Sequence, residues 1–180
     1  MRRILIAFSV LATIVTASAQ APPQPPVKPP APSPPLPATD VTDKALQAFI
    51  AAMPKDAITD SPIRIVDVGG SRIGIYGVFR PKSMPGDAIS HTTRTSEVYY
   101  MLEGSGTLVT GGSIADPKPP PPGRGSGPRG ERIEAGVSRR VTKGDIIVIP
   151  GRTPHWWSSL DSDIKYLIIR SDPDNRLPLK

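Results

Sequence analysis

The sequence predicts an all-β domain of antiparallel strands, and three observations carry that prediction. From residue 63 onward the chain is a series of short runs rich in Ile, Val and Tyr, separated by Gly, Pro or Asp turns. No segment among them has the length and 3.6-residue apolar period of a crossover helix, which argues against βαβ units and a parallel sheet. The pairs Gly69-Gly70 and Gly111-Gly112 stand where hairpin turns belong. Many short strands at regular spacing mean an antiparallel sandwich, jelly roll or barrel.

The strand-like runs cover 63–68, 73–79, 88–91, 96–102, 106–110, 138–142, 146–149, 155–159 and 164–170. Ahead of them, Thr39 or Asp40 can cap a short helix. Its residues Ala45, Leu46, Phe49, Ile50 and Met53 form one apolar stripe, with Pro54 after its end. That helix, within 39–57, is expected to pack on the outside of the strand domain at 58–172. The stretch 114–130, with PKPPPPGRGSGP at its centre, offers no core-forming residues and reads as a long mobile loop between two strands. Residues 173–180 read as a polar C-terminal tail.

The N-terminal part is unlike the rest in composition. Residues 1–19 hold Arg2 and Arg3, an apolar run from Ile4 to Val15, and Ala17-Ser18-Ala19. This is the order of a secretory signal peptide, and the apolar run is too short to span a bilayer. Residues 20–38 are a proline-rich linker, expected to be disordered, with about every second residue proline from Ala21 on; such a segment samples extended polyproline II as a semi-rigid spacer. The expected mature protein is exported, periplasmic or secreted, with no membrane span after cleavage.

There is no cysteine, so disulfides, thiolate ligands and a catalytic thiol are excluded. The net charge of +6 drops to +4 once Arg2 and Arg3 leave with the signal peptide. The remaining excess gathers near the 114–130 loop, at Lys118, Arg124, Arg129, Arg132, Arg139 and Arg140. A basic loop with no interleaved aromatics does not describe a nucleic-acid surface, and no nucleic-acid partner is expected. It does suit attraction of an anionic small molecule.

The chain's two histidines, His91 and His155, both sit beside Gly/Pro turns and apolar runs, and Glu97 lies close to the first. Imidazoles and a carboxylate are a ligand set suited to divalent transition metals. Strand alternation puts His91 and Thr93 on one face, Glu97, Tyr99 and Met101 on one face, and His155 and Trp157 on another. If these faces line one interior, two imidazoles and a carboxylate converge, leaving open positions as in a catalytic site.

The spacing around these residues resembles the two signature motifs of the cupin superfamily. In the first, four residues separate Gly86 from His91, Thr93 stands at the second histidine place, three residues separate it from Glu97, and six separate Glu97 from Gly104. In the second, Gly144, Pro150 and His155 keep their spacing, while Arg152 stands at a glycine place and Ser159 at an asparagine place. The resemblance covers about residues 63–170. It implies a cupin-like antiparallel β-barrel (jelly roll) with a short N-terminal helix, and a divalent metal ion (Fe, Mn, Zn or Cu) on His91, Glu97 and His155. It further implies a small-molecule ligand or substrate, dioxygenase, isomerase or lyase chemistry, and pairing as a homodimer. Thr93 replaces the family's third histidine, and a hydroxyl is a poor ligand for these metals. The alternative is therefore a non-catalytic ligand-binding or sensing cupin with a degenerate site, and whether the chain is an enzyme stays open. Thr93, Tyr99, Arg152 and Trp157 are the candidate pocket contacts, with Arg152 a candidate clamp for a substrate carboxylate.

Overall fold

The computed structural model describes residues 35–122, 125 and 127–179. The expected signal peptide at 1–19 and most of the linker at 20–38 lie outside the described residues. Among the described residues there is one helix, α1 (Asp43–Ala52), and no helix long and apolar enough to cross a membrane. It begins later than expected because Thr42, and neither Thr39 nor Asp40, is its N-cap: the Thr42 hydroxyl accepts from the Ala45 amide at 3.2 Å. The apolar stripe then faces the strands. Ile50 and Met53 bury with Phe79, supported by Leu46, Phe49 and Leu102, while Ala45 is left exposed. Gly77 makes this contact possible, since a Cβ there would stand 3.0 Å from the Phe49 ring.

Twelve strands follow. They are β1 (Thr59–Asp67), β2 (Arg72–Arg80), β3 (Ala88–Ile89), β4 (Ser96–Glu103), β5 (Ser105–Thr110) and β6 (Ser113–Ile114). Then come β7 (Arg129–Gly130), β8 (Ile133–Glu134), β9 (Val137–Thr142), β10 (Ile146–Ile149), β11 (His155–Leu160) and β12 (Ile164–Asp172). They form one sheet in the order β1-β2-β12-β4-β10, a second in the order β7-β3-β11-β5-β9, and a β6-β8 ribbon. Every pairing is antiparallel. The expected all-β jelly roll is present, but as two hydrogen-bonded layers and not as one closed barrel, because β1, β10, β7 and β9 each end a sheet.

The core lies between the two layers. Tyr76, Val78, Tyr99, Met101, Ile147, Ile149, Ile164, Tyr166 and Ile168 come from the first sheet; Leu108, Val141, Trp157 and Leu160 meet them from the second. Period-two alternation places Arg80 in phase with Val78, and Arg170 in phase with Tyr166 and Ile168. The same inward face carries Glu97, in phase with Tyr99 and Met101. Charged side chains thus enter the layer that otherwise forms the core.

Four expectations change. Gly69-Gly70 does close the β1-β2 hairpin, with both residues at positive φ, but Gly111-Gly112 does not join paired strands, since β5 pairs with β9 and β11 while β6 pairs with β8. The 114–130 segment is tied down at both ends: Ser113–Ile114 pairs with Ile133–Glu134, Arg129–Gly130 pairs with Ala88–Ile89, and Lys118 bridges Arg129. His91 and Thr93 lie in a bend after β3 and not on a strand, because β3 is only as long as its partner β7. The tail is not wholly solvated, since Leu177 packs against the main core and its amide donates to Asp172 Oδ2 at 2.7 Å.

Candidate metal centre and the arginine beside it

Three elements bring the cluster together. The bend after β3 supplies His91, the inward face of β4 supplies Glu97, and the first residue of β11 supplies His155, whose backbone pairs with Ile89 of β3 and Thr110 of β5. His155 is 4% exposed and Glu97 1%. The His91 Nε2 atom lies 3.3 Å from Glu97 Oε1, and the His155 Nε2 atom lies 3.4 Å from Glu97 Oε2. One donor atom from each of the three residues falls within 4.8 Å of the other two.

The tautomer of His155 follows from its other nitrogen. Nδ1 stands 3.0 Å from the Thr153 carbonyl, which can only accept, so Nδ1 carries the proton and Nε2 presents a lone pair. Burial pushes the imidazole pKa down from 6.5, outweighing the opposite pull of Glu97, so the ring is neutral at pH 7. A buried lone pair therefore faces a buried carboxylate oxygen, and neither Nε2, of His91 or of His155, has a hydrogen-bond partner. Two donor atoms sharing an ion at about 2.1 Å lie roughly 3.0–3.4 Å apart. The two His–Glu separations, each to a different carboxylate oxygen, fall at that spacing, and the donor set fits a divalent transition metal.

Glu97 has two further partners. Tyr99 donates its hydroxyl to Oε2 at 3.1 Å, and Arg170 donates Nε to Oε1 at 2.7 Å. Burial works to raise the Glu97 pKa, but the neighbouring His91 and then the Arg170 guanidinium outweigh it and hold the carboxyl well below the usual range, joined by His155 only where acid protonates its ring. Tyr99 moves the other way: burial, then the Glu97 charge, push its phenol well up, so it remains a neutral donor. The rest of the Arg170 guanidinium is bidentate to Asp60, at 3.1 and 2.6 Å, and stacks 4.1 Å above the Tyr76 ring.

A cleft of about 1280 Å³ opens over this cluster. Thr93 and Arg152 line it, as Tyr99 does, but Trp157 does not: it is 3% exposed in the core, 5.9 Å from the Tyr166 ring. Trp157 follows His155 by two residues and so faces inward too, one step deeper between the sheets. Arg152 occupies the family's glycine place at φ +66°, a left-handed conformation that costs a non-glycine residue about 1 kcal/mol. Glycine's greater freedom in the unfolded chain, about 0.4–1 kcal/mol, offsets most of that relief, so Arg152→Gly is expected to stabilise the protein by no more than about 0.5 kcal/mol, read as a shift in the urea midpoint. Sequence reasoning missed Asp60, Arg80, Tyr166 and Arg170. The signal was available, because Arg170 and Arg80 keep the inward period of their strands, as buried charged residues with partners do.

The chain belongs to the cupin family: the family model described as Cupin matches residues 78–177. Among curated proteins, none matches the chain. Among solved structures, it is similar to a Bacillus halodurans protein at 13% identity and TM-score 0.49, over 79% of this chain and 86% of that one. It is also similar to the DMSP lyase DddQ of Ruegeria pomeroyi, at 17% identity and TM-score 0.44, over 82% of this chain and 79% of that one. An RmlC-like cupin family protein from Methanocaldococcus jannaschii matches at 12% identity and TM-score 0.41, over 67% and 86%.

Proposed function

We propose that the chain is an exported metal-dependent cupin in which His91, Glu97 and His155 hold one divalent transition metal and act on a small oxygenated or anionic substrate. The observation that carries this reading is the neutral His155 Nε2 lone pair set 3.4 Å from a Glu97 oxygen, an arrangement that a cation relieves. Such an ion would polarise a substrate oxygen at its open positions. The chain's own part is to present the His155 imidazole with its ring fixed by Thr153, to set His91 beside Glu97, to keep Glu97 ionised through Arg170, and to admit substrate through the cleft lined by Thr93 and Arg152. Export is supported by the sequence order at 1–19.

One observation favours the alternative, a ligand-binding or sensing cupin with a degenerate site. The Arg170 guanidinium already neutralises Glu97 without an ion. Metal content and turnover of the purified protein decide between them. The enzyme reading expects bound metal, and loss of both metal and turnover in His155→Ala; a protein that binds ligands unchanged in that variant is a sensor.

A homodimer is supported by an exposed apolar row on the outer face beside the edge strand β10, at Ile146 (67% exposed), Val148 (66%), Tyr100 and Ile169. Light scattering at micromolar concentration is expected to give twice the chain mass, and the chain mass would refute it.

A further inference from the structure

The cleft holds more positive charge than its acids can pair. Among the described residues, six arginines and four carboxylates line it. Each carboxylate is already engaged: Asp60 and Glu97 by Arg170, Asp174 by Arg94, and Asp87 by Arg129. Arg80 makes no direct ion pair: the charge it feels is that of Asp60, which is itself bidentate to Arg170, yet it projects from the inward face of β2 toward the same interior as the metal cluster. Its Nε donates to the Tyr166 hydroxyl at 3.0 Å and its Nη1 to the Pro85 carbonyl at 2.7 Å. Those two bonds fix the plane of the guanidinium and use neutral acceptors only. Gly86 permits the approach, since a Cβ there would come within 2.6 Å of Nη1. A half-buried guanidinium held rigidly, with donors to spare and no anion, is a site prepared for one.

The path from Arg80 to the cluster is short. Tyr166, which Arg80 bonds, stacks 4.9 Å from Tyr99, and Tyr99 bonds Glu97. We propose that Arg80 anchors the carboxylate of a short-chain organic acid and presents the rest of that molecule to the His91–Glu97–His155 cluster. A carboxylate fits better than a phosphate. The planar fork of Arg80 suits either anion, but it stands in a cleft also lined by the apolar side chains of Ile58 and Ile168, which suit the hydrocarbon part of an organic acid and give nothing to inorganic phosphate. The role expected at Arg152 thus passes to Arg80, because Arg152 is exposed at the mouth while Arg80 is held in place. This deepens the proposed function by naming its substrate class. It rests on the cleft as a substrate site, and the metal is tested separately.

The test is calorimetric titration of acetate, lactate, malonate, succinate and inorganic phosphate into the full chain at low ionic strength. It is run on metal-loaded and chelator-treated protein, with metal content measured in each. At least one carboxylate is expected to bind more tightly than phosphate. In Arg80→Met its affinity falls by about 30-fold or more at unchanged metal content, since a charge-assisted bidentate contact is lost. If Arg80→Met does not fold, Arg80→Lys carries the test. It keeps the charge but loses the fork, and about tenfold weaker binding is expected. Carboxylate binding that depends on Arg80 in chelator-treated protein supports the anchor, and a protein that takes up no metal on loading but still binds carboxylate through Arg80 keeps the anchor while removing the metal reading. The anchor is overturned if no carboxylate binds, if phosphate binds best, or if the Arg80 variants that fold bind as tightly as the unaltered protein.

Discussion

Replacing Arg170 with Met is expected to lower the melting temperature by about 10 °C. Arg170 is the hub of the inward polar network: it pairs with buried Glu97 through Nε and with Asp60 through both terminal nitrogens. Its own burial works against its charge, but the Asp60 and Glu97 carboxylates outweigh that and hold it firmly protonated. Truncating one member of a buried ion pair leaves the other charged and unpaired, which costs about 3 kcal/mol or more. In a domain of this size that corresponds to roughly 10 °C. Asp60→Asn removes the more exposed partner and is expected to cost much less. Arg170→Met also removes a positive charge that competes with any cation for Glu97. Zn(II) or Mn(II) is therefore expected to raise the melting temperature of Arg170→Met more than that of the unaltered protein. Calorimetry of both proteins with and without metal reads both effects. A drop within about 3 °C would mean that water replaces Arg170 on Glu97 and that the network is not a source of stability.

Acid is expected to destabilise the protein in two steps. His155 has a folded pKa below its ordinary 6.5, because burial disfavours the imidazolium. Below pH 6.5 the unfolded chain therefore takes up a proton that the folded chain refuses, and stability falls. Glu97 has a folded pKa held well below the ordinary 4.5, with His91, Arg170 and His155 overcoming the effect of burial. Its contribution is fully present above pH 4.5 and is lost as pH drops through that value toward the folded pKa. Both shifts have the same sign, so stability is flat above neutrality and declines monotonically below it. While one such group differs in protonation between the two states, the slope is about 1.4 kcal/mol per pH unit. Urea unfolding between pH 8 and 4 measures it. Glu97→Gln is expected to remove the lower step and leave the upper one, and a stability maximum below pH 6 would contradict the neutral assignment of His155.

The fold was legible because strand period and turn residues are local properties. Residues 146–149 form β10 as read, and the ends of β2, β4, β5, β9, β11 and β12 differ from the sequence reading by one or two residues. What local pattern could not give was pairing. Gly111-Gly112 looks like Gly69-Gly70 in sequence, yet only one of the two joins neighbouring strands, since which strands meet is decided by the layers. The 114–130 loop was misjudged for a related reason: Arg129 and Gly130 are not strand formers, but they pair because Ala88–Ile89 offers them an open edge.

At the site, histidines and a glutamate at motif spacing led to the three residues whose donor atoms now lie together. The supporting residues were not legible in that way. Asp60, Arg80 and Arg170 lie outside both motifs, and although the inward period of Arg80 and Arg170 is readable, their roles depend on cross-strand neighbours. Arg152 is the odd residue within a motif, and its positive φ explains why glycine suits that place, while nothing in the structure explains why arginine stands there.

The most direct measurement is anomalous scattering from crystals grown with Mn(II) or Zn(II). The proposed centre predicts one strong peak per chain, about 2.0–2.2 Å from the Nε2 atoms of His91 and His155 and from an oxygen of Glu97. It also predicts that Arg170 and Tyr99 still hold the carboxylate. A map with no peak there at saturating metal, and with Glu97 bound only by Arg170 and Tyr99, would contradict it.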